Sequence, residues 1–323
     1  MNHDLQICDH ACGCATMADH MLVQVLKVGP KSAMEAYVVD LQRVLTTRFN
    51  GRAGAAVRKA LKGISGTTKF TEADLTRLMA GLEKELGAPM AAAMAPEIET
   101  AVAAMYAAAK SGAAKTLGLK TSLNLVDKRT QKWLGKSYQW YIKDFHQKHL
   151  SSQITEAVRK TVIEQGLPRR AAAKEIEGHL NRVYGLGTGS KAPVKVPGIF
   201  THRPEQYWGG LSNHAATTAR VFADLESMQE ADIQRYRISA VMDRRTCAIC
   251  KSMDGKEFTV EQGAAQRDRV LSAKSPEQYK SVAGWQGVKG ALSVIGRGRG
   301  AMAEAGMALP TYHYLCRCTI DAV

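Results

Sequence analysis

Two cysteine-bearing stretches, far apart in the chain, constrain its fold more than any other feature. The first is Asp243-Arg244-Arg245-Thr246-Cys247-Ala248-Ile249-Cys250, a CxxC. The second is His313-Tyr314-Leu315-Cys316-Arg317-Cys318, an HxxCxC. Two residues between cysteines reverse the chain tightly enough to aim both thiolates at one point, and a His and a Cys three apart can do the same from a second turn. Together they supply nitrogen and sulfur donors suited to tetrahedral Zn2+. Cys247, Cys250, His313 and Cys316 make a closed set, which holds structure and leaves no open position for activating water. Cys318 is the alternative ligand, because on an extended chain residues two apart point the same way. The competing reading is a core of buried reduced cysteines or a disulfide. Structural zinc contributes about 10–16 kcal/mol in small peptides, enough to tie the last residues of this chain to a much earlier turn.

The 323 residues allow two domains, or one with a helical arm. Hydrophobic residues make up 45%, so a buried core is expected rather than global disorder. Lys and Arg number 44 against 30 acidic residues, a net charge of +14, which points to a polyanion such as double-stranded DNA or to an acidic protein surface. No apolar run is long enough to cross a bilayer, so no membrane partner is expected. Residues 1–8 lack the basic and apolar regions of a signal peptide. Seven cysteines in close pairs fit metal binding in a reducing compartment better than a disulfide framework.

The pattern along the chain predicts an α+β fold, mostly helical, in which a helical N-terminal body carries a small C-terminal zinc-clamped β-sheet. Residues 1–32 read as a flexible segment, with Cys8, Cys12 and Cys14 among histidines in no closed zinc spacing. Residues 33–184 read as a helical domain. Within it a helix from about Met34 is expected to stop at Phe49-Asn50-Gly51, followed by a short basic one over 55–61. Thr71-Glu72-Ala73-Asp74 resembles a capping box. Met94, Ile98, Val102 and Met105 share a helical face, which reads as core rather than a ligand box. Lys128, Arg129, Lys132 and Lys136 interleave with aromatics over a long helical stretch, 124–165. Such a pattern can bind nucleic acid, but it reads more simply as a packed face beside a solvated one.

Glycines and prolines over 185–204 mark a linker, and residues 205–323 a second domain. There Tyr236–Met242 alternates like a strand, Asp254-Gly255 signals a hairpin, and Cys318–Val323 reads as a closing strand. A basic insertion over 262–309 carries Lys289, Arg297 and Arg299. Its Arg-Gly run suits contact with DNA or a partner, or a solvated loop. A nuclease would need a His/Asp cluster for a catalytic metal. His202, His214, Asp224 and Asp243 are scattered, and no Ser/His/Asp arrangement, Walker loop or dinucleotide fingerprint occurs. No enzymatic activity is expected.

The combination of Asp243-Arg244-Arg245-Thr246-Cys247-Ala248-Ile249-Cys250, Asp254-Gly255-Lys256-Glu257-Phe258 and His313-Tyr314-Leu315-Cys316-Arg317-Cys318 resembles the phage Mu F-like minor head proteins, the head morphogenesis family of tailed bacteriophages. The resemblance covers roughly the last 120 residues, beginning near Ala215. It departs from the family at Ala219-Arg220-Val221-Phe222, in a looser approach from Pro310 to His313, and in the longer insertion. The resemblance implies a minor capsid protein of the virion, assembled in the host cytoplasm. Its implied partners are the portal protein, the major capsid or scaffold protein, and packaged double-stranded DNA. The alternative is a basic zinc-stabilised DNA-binding protein or a DNA-processing nuclease.

Overall fold

The structure is a computed structural model that describes residues 33–186 and 204–323. Cys8, Cys12, Cys14, His202 and most of the 185–204 stretch lie outside the described residues.

In chain order the elements are α1 (Ala33–Leu61), α2 (Glu72–Leu86), α3 (Ala88–Thr116) and α4 (Leu125–Phe145). A π-helical turn (His146–Leu150), α5 (Ser151–Val158), a second π-helical turn (Arg159–Ile163), α6 (Arg169–Tyr184) and α7 (Pro204–Glu230) follow. Next come β1 (Arg235–Ser239), α8 (Ala248–Met253), β2 (Glu257–Thr259) and α9 (Val260–Ser272). The chain continues through α10 (Pro276–Val282), α11 (Val288–Gly296), α12 (Arg299–Glu304) and β3 (Thr319–Ala322). The protein is thus mostly helical, and among the described residues it carries one small antiparallel sheet ordered β2-β1-β3 near the C-terminus, as the sequence pattern predicts.

The contacts divide the chain into two compact units that interleave in sequence. Of the described residues, one holds 33–42, 97–138 and 209–323; the other holds 43–96, 139–186 and 204–208. In the second unit, Thr71 caps α2 and Asp74 answers it, the capping box expected from the sequence. Arg169 forks onto the same Asp74 at 3.0–3.2 Å, pinning the start of α6 to the start of α2. The core of this unit is aromatic: Phe145 lies 4.3 Å from Tyr207 and 4.6 Å from Trp208, ring centre to ring centre. Phe49 meets Phe145 edge-on at 5.4 Å. That packing explains one correction. The helix does not stop at Phe49-Asn50-Gly51 but runs on to Leu61. A mid-helix glycine costs about 1 kcal/mol, and the complete burial of Phe49 and Ala53 on either side outweighs it.

In the first unit, Ile98, Val102 and Met105 are buried on α3, so this part of the predicted stripe is core. In the sheet, β1 pairs antiparallel with β2 through Tyr236↔Phe258 and with β3 through Ile238↔Ile320. Tyr236, Ile238 and Phe258 are fully buried, so one face of the sheet is core. Asp254-Gly255 does not make a two-residue hairpin, because the CxxC turn and α8 are inserted between β1 and β2. Instead the pair closes that insertion: Gly255 adopts φ +73° and donates to the Ile238 carbonyl at 2.9 Å.

The 262–309 insertion is largely helical. Thr259 and Gln262 form a capping box that opens α9, and Ser275 ahead of Pro276 caps α10. Val270, Tyr279, Val294 and Met302 are buried along it. Gly296 ends α11 and Arg299 opens α12, so the Arg-Gly run is a helix-to-helix junction.

Candidate metal centre

The candidate ligands come from both ends of the sheet region. β1 delivers the chain to the turn at Asp243, where Thr246 Oγ1 accepts from Asp243 N at 2.8 Å. Cys247 then caps α8, its Sγ accepting from the Cys250 backbone N–H at 3.4 Å. That bond sets the spacing of the two thiols, since the helical turn brings Cys250 back over Cys247. The second stretch reaches them by packing on α7. A side chain at Gly210 would place Cβ 2.6 Å from the Tyr314 ring, so the absence of one lets this segment lie close against the helix.

There the expected ligands meet. His313 Nε2 is 3.2 Å from both Cys247 Sγ and Cys250 Sγ, and Cys250 Sγ is 3.9 Å from Cys316 Sγ. Cys247, Cys250 and His313 form one group able to share an ion; Cys250, Cys316 and Cys318 form a second that overlaps it at Cys250. All five side chains are buried. A small cavity at the cluster is lined by Cys247, Cys250, His313 and Cys318, with Arg245 and Arg317 at its wall. Both Cys316 and Cys318 therefore face the cluster, as an extended Cys316-Arg317-Cys318 segment requires.

The electrostatics suit a cation. A hydrogen bond with Cys250 draws the Cys247 thiol down to about 4, and the reciprocal bond pushes Cys250 up. Without a metal the neighbouring sulfurs share protons, because adjacent thiolates repel in a buried site. A divalent cation removes that conflict, and thiolate with imidazole is the donor set of Zn2+. The residues present thus fit a metal.

The importance of Asp243 and Arg317 for this geometry was not legible in the spacing alone. Arg317 donates to the two Asp243 carboxylate oxygens at 2.7 and 3.0 Å. The signal was an acid and an arginine placed beside the two cysteine pairs. The scattered acid and histidine residues do not assemble a second site: among the described residues His214, Asp224 and Asp243 belong to no metal-capable group. His214 instead lies in a buried polar cluster, 2.8 Å from Tyr138 Oη and 2.9 Å from Thr311 Oγ1. Lys289, Arg297 and Arg299 are exposed on α11, α12 and their junction. No helix among the described residues is long and apolar enough to cross a membrane.

A family model described as "Phage Mu protein F like protein" matches residues 152–321, just over half of the chain. No curated protein and no solved structure matches.

Proposed function

This chain belongs to the phage Mu protein F like family, and from that premise we propose that it is a non-enzymatic minor component of a tailed-phage head, assembled with the portal and inner capsid. The family supports head morphogenesis in general; portal, scaffold and DNA as particular partners are our reading. The observation that carries it is a buried cluster in which Cys247, Cys250 and His313 form one metal-capable group and Cys250, Cys316 and Cys318 a second that shares Cys250. A donor set of this kind staples a fold and offers no open position for substrate.

We assign structural zinc to Cys247, Cys250, His313 and Cys316, with Cys318 as the alternative fourth ligand. Bound there, zinc would supply cohesion between the two cysteine stretches and no reaction chemistry. The exposed cations Lys289, Arg297 and Arg299 suit contact with an acidic head partner or with packaged DNA.

The test joins zinc stoichiometry by native mass spectrometry to capture of portal and capsid proteins from infected cells by the tagged chain. One zinc per chain with portal recovered supports the proposal. Zinc without any head protein would leave the basic DNA-binding alternative, and metal-dependent cleavage of plasmid DNA would favour the nuclease.

A further inference from the structure

The long helix α4 separates its charges. Its acid at position 127 is turned fully inward, where it accepts from Tyr106 Oη at 2.6 Å and lies 3.6 Å from the buried Lys110 ammonium. Its cations are turned outward: Lys128, Arg129, Lys132 and Lys136 are all exposed. Among the described residues none of the four is ion-paired. At about 100° per residue, Lys128, Lys132, Lys136 and Arg129 fall near 0°, 40°, 80° and 100°, one sector of the helix. The opposite face, with Thr130, Leu134, Ser137 and Tyr138, is buried. The sector holds no acidic and no aromatic residue over this span, and one apolar side chain, Leu125, at its start.

Such a face has a definite chemistry. A protein partner would need an apolar or aromatic centre, and lysine is depleted from protein interfaces. A single strand would need aromatic platforms for its bases. A duplex backbone needs neither, since phosphates are bound by cations without regard to sequence. From Lys128 to Lys136 the helix rises about 12 Å, close to the axial span of three or four phosphates of one strand at about 3.4 Å each.

We infer that the exposed Lys128-Arg129-Lys132-Lys136 face of α4 is a sequence-independent docking surface for the backbone of double-stranded DNA. This rests on the head-protein reading, to which it adds the surface that meets the packaged genome.

The experiment compares full-length protein with the variant K128Q/R129Q/K132Q/K136Q. Glutamine keeps helix propensity close to that of lysine and arginine, and circular dichroism checks the fold. The probe is a fluorescent linear 30-base-pair duplex of arbitrary sequence, read by anisotropy from about 50 to 200 mM salt. Each lost phosphate contact lowers the slope of log affinity against log salt by about 0.9. The wild-type slope should therefore exceed the variant slope by about 3.6. Over that fourfold salt range the wild type should lose about 150-fold more affinity than the variant does.

Equal slopes for wild type and the α4 variant would overturn the assignment. So would a wild type that captures portal but binds no duplex, and in both cases the head-protein reading survives. Loss of portal capture by the α4 variant, with duplex binding unchanged, would give the face to an acidic protein and also overturn it. A wild type that binds duplex through α4 but recovers no head protein would keep this inference and remove the reading beneath it.

Discussion

Arg317 grips Asp243 with both guanidinium nitrogens, at 2.7 and 3.0 Å from the two carboxylate oxygens. Arg317 stands between Cys316 and Cys318, and Asp243 opens the turn that leads to Cys247. Asp243 also accepts from the Arg245 backbone N–H at 2.8 Å. The fork therefore joins the two ligand-bearing stretches from outside the ligand set. The Arg317 guanidinium holds the Asp243 carboxyl well below the usual carboxylate range, so the pair acts above pH ~4 and is lost as the pH falls through the lowered folded value.

Replacing Arg317 with Gln should loosen metal binding without removing a ligand. Partners of this kind typically change metal affinity about 10- to 100-fold. Chelator competition on purified protein should show zinc leaving the variant at a correspondingly lower chelator concentration. Arg317→Lys should recover little, because an ammonium cannot make the two parallel bonds. Unchanged release would mean that the fork does not position the ligands.

The fourth ligand can be assigned by comparing Cys316→Ser with Cys318→Ser. Cys316→Ser should abolish stoichiometric zinc, and Cys318→Ser should retain it. The reverse pattern would place Cys318 in the set, consistent with its position in the cavity wall. Loss of zinc from Cys247→Ser should cost several kcal/mol, since metal binding and folding are one equilibrium at such sites. Thermal melts of the purified variant would show it.

Asp224 on α7 gives a pH prediction. Burial pushes its carboxyl up to about 6, and Asp321 adds to this while Arg220, at 3.6 Å, opposes it. The native state thus holds this proton more tightly than the unfolded chain, whose Asp titrates near ~4. Its presence costs nothing below that value and lowers stability increasingly as the pH rises through about 6. Asp224→Asn should be more stable at pH 7, by at most about 3 kcal/mol. The gain over wild type should vanish in melts near pH 4. A variant that is less stable at pH 7 would contradict the burial argument.

Lys110 is fully buried, 3.6 Å from Asp127 and 2.8 Å from Glu230. Lys110→Met should destabilise by about 3–5 kcal/mol, because it strands a buried carboxylate. Adding Asp127→Asn should recover part of that loss. Urea melts of both variants would decide it, and strictly additive losses would argue against direct pairing.

Local signals in the sequence carried the parts of the fold whose hydrogen bonds are local. The capping box at Thr71 appears where residue chemistry puts it. So does the buried stripe of Ile98, Val102 and Met105. The clustering of the site's cysteines and His313 was also legible, because CxxC and HxxC each fix the relation of their own donors within one turn.

What the sequence by itself determined, then, was the mostly helical class, the three short strands and the candidate ligands, since these follow from periodic burial and short-range geometry. Tertiary structure alone decided that a helix runs through Asn50-Gly51, where burial of Phe49 and Ala53 overrides local propensity. It alone turned the Arg-Gly run into a junction between helices, placed Lys110 inside, and set Arg317 on Asp243. Each of those depends on residues distant in sequence, and the energy of burying or pairing a side chain exists only once its partners have arrived.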